Sequence, residues 1–407
     1  MLDRLTVSAL VKAVIVVMAA SVVAGLSVSA WGSWDRLTMT NRMAVIADTS
    51  SYLFKAMHNL RTDRSTSIRL LNSDQTVDGA IDKYLRDIRD TEMPAMAAAL
   101  GQLPTIDFAE QKALVSELDR LFKTLTAAQK EFWQEVAKPK PSRRAALPKE
   151  YMETTAALLE TLDKLSAGLA AAVNHQDPAI DQLLAIKQIA WLLRNTAGET
   201  SLLVSTGLAA GHVAPEARLT YMKYSGGIEI AWNALELTAS GMRLPPALSS
   251  AIAETKNAYF EPQYLALRDR LLTALVAGEK PELTANQWTP ITVGRLAAAV
   301  KVAEAALDAA KDHAMAQYFA ARRSLVLQLV LLVAALALAL GSMMLVNRRI
   351  IRPLHSIRDA MLKVASGDLS ADAGHAGRHD EIGALAGALG TFKQQAVEKT
   401  RIERQER

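Results

Sequence analysis

Two arginines lie at positions where a helical protein usually carries apolar side chains, and a third lies one turn from the first of them. An apolar seam with alternating spacings of four and three residues consists of Leu53, Met57, Leu60, Arg64, Ser67 and Leu71. Because this spacing brings residues onto one face of a helix, Arg64 takes a core-type position, with Arg61 one turn before it. Arg194 lies in a nearly uncharged stretch, beside Trp191. These arginines are the candidate functional residues of the chain.

Arginine at such positions suits the binding of small oxyanions. A buried guanidinium group is costly unless a negative group lies close to it. Its planar fork matches nitrate, nitrite or a carboxylate, because two N–H groups point the same way. We therefore predict that Arg61, Arg64 and Arg194 bind a small anionic ligand. Internal pairing, for example of Arg64 with a glutamate across the bundle, is the alternative interpretation.

Signatures of catalysis and of metal binding are not found in the sequence. There is no Gly-rich phosphate loop, no HExxH motif and no Ser/His/Asp signature. His375 and His379 are four residues apart but lack a third ligand, so no metal site is predicted. The chain has no cysteine, which excludes a disulfide framework and thiol chemistry. We expect no catalytic residue, no enzyme activity and no cofactor.

The elements that position the arginines are predicted to be helices. Ala and Leu dominate, whereas Gly, Pro and aromatic residues are sparse and strand-like alternation is not seen. Prolines and polar clusters separate eight expected helices outside the membrane, over residues 34–72, 77–100, 107–137, 148–174, 178–210, 214–242, 247–276 and 290–322. Eight helices make two bundles of four, so we predict an all-α fold with modules at about 31–175 and 176–322.

Two apolar runs predict transmembrane helices, at residues 10–30 and 323–346. Each is long enough to cross roughly 30 Å of hydrocarbon at a rise of about 1.5 Å per residue. The first run is also compatible with a cleaved signal peptide, because Val28-Ser29-Ala30 offers small residues where a peptidase might cut.

Arginines set the expected orientation of these two helices. Arg348, Arg349 and Arg352 directly follow the second run, and basic segments stay on the cytoplasmic side. Residues 1–9 are therefore expected in the cytoplasm, and residues 31–322 outside it. The net charge of +4 lies largely beside the membrane, which gives no reason to expect nucleic acid as a partner.

The segment after the second run has the pattern of two short helices. Apolar residues recur with spacings of three and four, first at Leu354, Ile357, Met361 and Val364, then at Ile382, Leu385, Leu389 and Phe392. Such helices cannot bury their seams alone, so we predict a homodimer that forms a parallel four-helix bundle. A membrane anchor followed by a short coiled coil is the alternative.

This segment resembles a HAMP domain over residues 347–399. The residues that carry the resemblance are Pro353, Gly367, Leu369, Asp380, Glu381, Ile382 and Gly383. Pro353 also fits the first turn of a helix. The resemblance implies an adaptor between a membrane helix and the output of chemoreceptors, sensor kinases and some cyclases, with these residues in signalling.

The outer segment is similar to nitrate- and nitrite-sensing domains. The similarity rests on Leu60-Arg61-Thr62-Asp63-Arg64-Ser65, on Thr196-Ala197-Gly198-Glu199-Thr200 and on Trp288. Arg61, Ser65 and Thr200 depart from the family pattern, which has Gln, Gly and Arg there. The similarity implies paired helical bundles that bind an oxyanion through arginines. Helical bimodular sensor domains, which bind organic acids, have the same layout.

Together the resemblances imply the N-terminal part of a bacterial methyl-accepting chemotaxis receptor. We expect a multi-pass protein of the inner membrane with a large periplasmic domain. The charged residues 400–407 are predicted to start an output coiled coil, through which kinase and adaptor proteins would be partners. The alternatives are the sensor half of a histidine kinase or of a nucleotide cyclase, or a scaffold without a ligand.

Overall fold

The computed structural model describes residues 6–73, 77, 79–241 and 243–405. Within these ranges all regular secondary structure is helical, which confirms the all-α prediction. The helices are α1 (Val7–Asn72), α2 (Gly79–Gln102), α3 (Gln111–Val136), α4 (Leu147–Val173), α5 (Pro178–Ala210), α6 (Ala217–Ser240), α7 (Pro246–Tyr259), α8 (Pro262–Ala277), α9 (Ala285–Val346), α10 (Arg352–Ala365) and α11 (Glu381–Gln405).

Some predicted features lie outside the described residues. They are the first five residues of the expected cytoplasmic N-terminus, the expected break at Asp74, the helix end at Met242 and the last two residues of the expected coiled coil.

One predicted helix, over residues 247–276, is wrong. The chain leaves the helix after Tyr259, and Glu261 has an extended backbone with ψ of 124°. Pro262 explains the break, because a proline ring clashes with a helical residue before it and instead favours the first turn of a new helix. The segment therefore forms the two helices α7 and α8.

The start of α9 also differs from the prediction, which placed it at Pro290. Thr284 and Gln287 hydrogen bond reciprocally: Gln287 N donates to Thr284 Oγ1 at 3.4 Å, and Thr284 N donates to Gln287 Oε1 at 3.0 Å. This capping box satisfies backbone donors that a helix start would leave free. The helix therefore begins at Ala285, and Pro290 lies inside it.

The chain divides into two compact units. One comprises Thr38–Ala320, and the other comprises Met1–Leu37 with Ala321–Arg407. In the first unit a continuous set of buried apolar residues draws on every helix from α1 to α9. The division of this unit into two four-helix modules stays a prediction.

Helices α1 and α9 each contain a stretch that is apolar and long enough to cross a membrane. In the most apolar 18 residues of each stretch, none is buried inside the protein. Two polar contacts join the helices there: Gln328 Nε2 donates to Ser29 Oγ at 2.9 Å, and the hydroxyls of Ser33 and Ser324 lie 3.3 Å apart. Length, composition and exposure suggest a membrane protein, in which apolar side chains face lipid.

Between α9 and α10 the helical path contains one wider turn. Asn347–Ile351 form a π-helical turn, whose hydrogen bonds reach one residue further than in an α-helix. Beyond it, α10 and α11 pack on each other through a small apolar cluster that includes Ile357, Val364 and Leu389.

Candidate anion site and signalling segment

Helices α1 and α5 carry the three predicted ligand arginines. α5 begins at Pro178 because Asp177 caps it: the carboxylate accepts from the backbone N–H groups of Ala179 and Ile180 at 2.9 and 3.1 Å. It ends at Gly211, whose φ of 82° closes the helix. Between these ends the helix is regular, so side chains one turn apart lie together on one face.

Arg61 of α1 contacts two polar groups of α5. Its guanidinium group donates to Asn195 Oδ1 and to Glu199 Oε1, the latter at 3.0 Å. The guanidinium carbon also lies 5.9 Å from the ring centroid of Trp191, within the range of a cation–π contact. Internal pairing, the alternative interpretation of these arginines, is therefore present at Arg61.

Arg64 and Arg194 differ from Arg61. Within the part of the chain that the structure describes, neither forms a hydrogen bond or an ion pair, although both are partly buried. Arg194 Nε is buried without an acceptor. The Arg194 guanidinium carbon lies 5.8 Å from the same Trp191 ring. Two guanidinium groups thus lack a direct counter-ion.

The electrostatics of the cluster confirm that the three arginines lie near one another. Burial lowers the pKa of Arg61, Arg64 and Arg194, and the Glu199 carboxylate acts in the opposite direction in each case. For Arg194, burial and repulsion by Arg61 and Arg64 lower the pKa to about 10. Arg194 is therefore still charged at neutral pH. Three arginines with one glutamate give the cluster a net positive charge.

His58 lies one turn before Arg61 and belongs to the same cluster. Its Nδ1 atom is buried and has no hydrogen-bond partner. Burial and the nearby Arg194 charge lower the pKa of His58 to about 4. The imidazole is therefore neutral at neutral pH and adds a polar atom without adding charge.

The fully buried charged residue in this part of α1 is not the one that the seam pattern indicated. Arg64 is only partly buried, whereas the adjacent Asp63 has no exposed surface. The buried face follows Leu60, Asp63 and Ser67, so the core line lies one residue away from the predicted one. A helix has 3.6 residues per turn, and positions 63 and 64 both fit a pattern of threes and fours.

Asp63 lies at the centre of a hydrogen-bond network drawn from α1, α2, α3 and α4. Its carboxylate accepts from Arg89 Nε at 3.0 Å, Ser67 Oγ at 2.8 Å, Gln129 Nε2 at 3.3 Å and the hydroxyl of Tyr151. Arg89 also donates to Ser67 and Tyr151. Sequence reasoning missed this network, because its members are far apart in sequence and each is an ordinary helix residue.

A second carboxylate lies in the same network. Glu92 has no exposed surface; its Oε1 accepts from Gln129 at 3.1 Å, and its Oε2 has no partner. Burial and the neighbouring Asp63 charge raise the pKa of Glu92 well above its usual value, against the opposing effect of Arg89. Two carboxylates thus share one arginine, and the environment favours a protonated Glu92.

Two further buried cations are satisfied by hydroxyl groups. Lys187 donates to Ser166 Oγ, and burial lowers the pKa of Lys187 to about 8. Arg268 donates to the hydroxyls of Tyr221 and Tyr259, both at 2.9 Å. Their side-chain hydrogen-bond partners are neutral hydroxyls of the chain itself, so we interpret these two cations as internal structural groups.

A cavity in the unit Thr38–Ala320 lies elsewhere. It has a volume of about 230 Å³ and is lined by Arg218, Tyr221, Met222, Asp269, Leu272, Thr273 and Val276. None of these residues belongs to the arginine cluster. Across the described ranges, no three His, Cys, Asp or Glu side chains are grouped as metal ligands.

The predicted signalling residues of the other unit lie at the start of α10 and at the two ends of the connector between α10 and α11. Pro353 lies in the first turn of α10 and is buried. Gly367 follows α10 with φ of 94°, a conformation that favours glycine. Leu369 packs against the α10–α11 cluster.

The other end of the connector is held by Asp380, directly before α11. Its Oδ1 accepts from Gly383 N at 3.1 Å, as a helix cap does. Hydrogen bonding from Arg378 is the main cause that lowers the pKa of Asp380 to about 2. A side chain on Gly383 would collide with the backbone carbonyl of Arg378, so glycine is required. Glu381 starts the helix, and Ile382 packs on the cluster.

One chain buries only half of the apolar seams in this segment. Ile357 and Leu389 are buried, whereas Met361, Leu385 and Phe392 remain about half exposed. The sequence of residues 345–398 matches the family model of the HAMP domain. The protein carries a HAMP domain. The presence of this domain implies a signal-transducing sensory receptor.

Comparison with known proteins adds the fold and leaves the ligand open. A solved structure described as the NasR transcription antiterminator is similar over 91% of this chain and 94% of that chain, with a TM-score of 0.53 and 17% identity. At this identity the similarity shows a shared helical fold alone. No curated protein matches the chain significantly.

Proposed function

We propose that this protein is a transmembrane receptor that binds a small anion at Arg61, Arg64 and Arg194 and transmits the signal through its HAMP domain. The observation that carries the proposal is the charge balance of the cluster. Three guanidinium groups lie near a single carboxylate, Glu199, which pairs directly with Arg61 alone, and Arg194 Nε has no acceptor. A partly buried positive cluster is stabilised by an added anion, because each unpaired cation there is costly.

The ligand class follows from the shape of the groups. Guanidinium forks bind planar oxyanions through paired N–H groups, and Trp191 provides a flat apolar side to the site. Nitrate, nitrite and small organic acids fit this description. The neutral His58 can supply one further hydrogen bond.

The signal path is proposed from chain continuity. α1 carries Arg61, Arg64 and the first apolar stretch on one unbroken helix, and α9 continues to the π-helical turn before the HAMP domain. An anion that draws α5 and α1 together would bias one arrangement of α1 over another. We place residues 31–322 in the periplasm of a bacterial inner-membrane protein with two spans.

The output is proposed to be chemotaxis, through a methyl-accepting signalling segment that contacts kinase and adaptor proteins. The chain itself would not be an enzyme. The sensor half of a histidine kinase or a nucleotide cyclase is the second candidate, because HAMP domains serve these outputs as well. In either case the receptor would act as a homodimer, since one chain leaves HAMP seam residues exposed.

The test is ligand-dependent melting of the whole chain in mild detergent. Nitrate, nitrite and small carboxylates are added in turn; at 100 times the dissociation constant, a ligand stabilises by about 2.7 kcal/mol. For a unit of this size that corresponds to a rise of roughly 5–10 °C. A rise with at least one of these anions is the expected result.

Variants separate a ligand site from structural pairing. Arg64→Ala should abolish the rise and leave the ligand-free melting temperature nearly unchanged, because the Arg64 side chain has no direct ion pair or hydrogen bond to lose. Arg120→Ala is the control, since it removes an exposed arginine with a surface ion pair. If no anion raises the melting temperature and Arg64→Ala unfolds the protein, the arginines are structural and the ligand assignment is wrong.

A further inference from the structure

Helix α6 is apolar on two opposite faces. One face is buried in the outer unit and consists of Tyr221, Ile228, Ala231, Trp232, Leu235 and Ala239. The opposite face carries Leu219, Met222, Ile230 and Leu237, which we call the α6 stripe. Successive residues rotate by about 100°, so positions 219, 230 and 237 fall within about 20° of one another. A helix of a globular unit normally needs only one apolar face.

The α6 stripe is unusually exposed. Leu219, Ile230 and Leu237 have exposed fractions of 72%, 71% and 75%, and Met222 has 61%. Every other large apolar residue that the structure describes in the outer unit is less exposed than these four. Contiguous apolar surface of this kind marks an interaction site.

The middle of the stripe is shaped for a close neighbour. Gly226 lies on the same face, between Met222 and Ile230, and a side-chain carbon there would meet only open space. Glycine therefore is not required by packing inside the chain. It leaves a shallow gap in which a side chain or a second backbone fits.

Opposite charges flank the stripe on its two sides. Lys223 lies on one flank and Glu229 on the other; both are exposed, and neither forms an ion pair within the described part of the chain. When two identical helices pair in parallel, opposite flanks meet. Lys223 then lies on the same side of the helix pair as Glu229 of the partner subunit, six residues further along the helix. In an antiparallel pair, like flanks meet and this complementarity is lost.

We infer that the α6 stripe is a subunit interface that packs on the same stripe of a second copy of this chain, with the two helices parallel. This inference rests in part on the proposed HAMP dimer. Met361, Leu385 and Phe392 are exposed in one chain and require a second copy. Because α9 runs unbroken from the outer unit toward the HAMP domain, a dimer held there keeps two α6 helices tethered.

The size of the stripe explains why the tether matters. A stable interface between free proteins needs roughly 800 Å² per partner, and one helix face supplies less. A short tether raises the effective concentration to the millimolar range, where a weaker contact is populated. The stripe thus fits a contact between subunits already held together.

Disulfide cross-linking in membranes tests the interface on the full chain, which has no native cysteine. Ile230→Cys should form disulfide dimers on mild oxidation, at least several-fold more than Thr220→Cys. Thr220 is the matched control, because it is exposed on α6 but points about 100° away from the stripe. Leu385→Cys reports the HAMP dimer in parallel.

Each outcome decides the question. Dimers with Ile230→Cys but not with Thr220→Cys support the interface, whatever Leu385→Cys shows. Dimers with Leu385→Cys alone overturn it and leave the HAMP dimer standing. Equal cross-linking at Ile230 and Thr220, or none at any position, also overturns it.

Charge exchange tests the parallel arrangement. In the Ile230→Cys chain, Lys223→Glu should lower cross-linking several-fold, because it brings like charges together. The double exchange with Glu229→Lys should restore it. Both positions are exposed, so the fold is retained, and an unchanged melting temperature checks this. Failure of the double exchange to restore cross-linking would refute the parallel arrangement that we infer.

Discussion

Replacing Asp63 with asparagine should destabilise the receptor far more than replacing the neighbouring Glu92 with glutamine. Both carboxylates are fully buried in one network. The Asp63 carboxylate accepts a hydrogen bond from Arg89 Nε at 3.0 Å and further hydrogen bonds from donors on α1, α3 and α4. Glu92 has one partner and one free oxygen. The two substitutions are chemically alike, so the difference isolates the environment.

The magnitudes follow from the contacts. Asp63→Asn removes the charge that Arg89 faces, and breaking a buried ion pair costs roughly 3–5 kcal/mol. A protein of this size loses about 2–4 °C in melting temperature per kcal/mol, so we expect a loss of roughly 6–20 °C. Glu92→Gln keeps the acceptor for Gln129 and removes only a carboxylate that is disfavoured where it lies. We expect a change within about 1 kcal/mol.

The pH dependence gives the same comparison a second readout. Burial raises the pKa of Glu92 in the folded protein, so the unfolded chain releases this proton more easily. Stability from the protonated Glu92 is present below its ordinary pKa and is lost as pH rises through the raised value. Glu92→Gln should therefore become progressively favourable relative to the natural chain as the pH rises.

Thermal unfolding of the full chain in detergent, followed by circular dichroism at several pH values, measures both effects. The reasoning is refuted if the two variants lose equal stability at neutral pH. It is also refuted if the difference between Glu92→Gln and the natural chain does not change with pH.

Three further expectations concern the anion site and the topology. Glu199→Gln should tighten anion binding roughly tenfold, since it removes the carboxylate that competes for Arg61 at 3.0 Å; calorimetric titration measures this, and weaker binding would contradict it. The pKa of His58 is lowered to about 4, so its contribution to stability is lost as pH falls from about 6.5 to 4. His58→Gln should therefore reduce the loss of stability in acid, and melting temperatures measured over a range of pH values test this. Cysteines at positions Ser142 and Ser370 should label differently with an impermeant reagent on intact cells, and equal labelling would contradict the two-span topology.

The sequence predicted where most helices begin and end, but it predicted the buried polar contacts between helices less well. Helix ends at prolines, at Asp177 and at Gly211 are local features, because caps and ring clashes act within a few residues. Pro262 is an equally local signal that the prediction overlooked. The HAMP residues were found by resemblance to the family, and the structure gives a physical reason for two of them: Gly367 has a positive φ, and Gly383 makes a close backbone contact.

The polar interior could not be predicted because it depends on packing between distant helices. The seam pattern predicted Arg64 as the buried residue, but the buried residue is its neighbour Asp63. Arg89 and Tyr151, on other helices, donate hydrogen bonds to Asp63. Glu199 lies over one hundred residues from Arg61, and nothing in a helical pattern pairs them. The α6 stripe, in contrast, is visible in sequence as a second apolar period, but only burial shows which period faces the core.

The π-helical turn at Asn347–Ile351 sets the angular phase between α9 and α10. Such a turn accommodates one residue more than an α-helical turn, so it offsets everything after it by about 100° around the helix axis. A one-residue deletion there restores a continuous α-helix and returns α10 to the phase of α9. Conversion of this turn to regular α-helix in the unchanged chain would rotate the HAMP seam relative to α9 by the same angle. The geometry of the junction therefore allows a rotation about the helix axis, rather than a displacement along it, to transmit a signal.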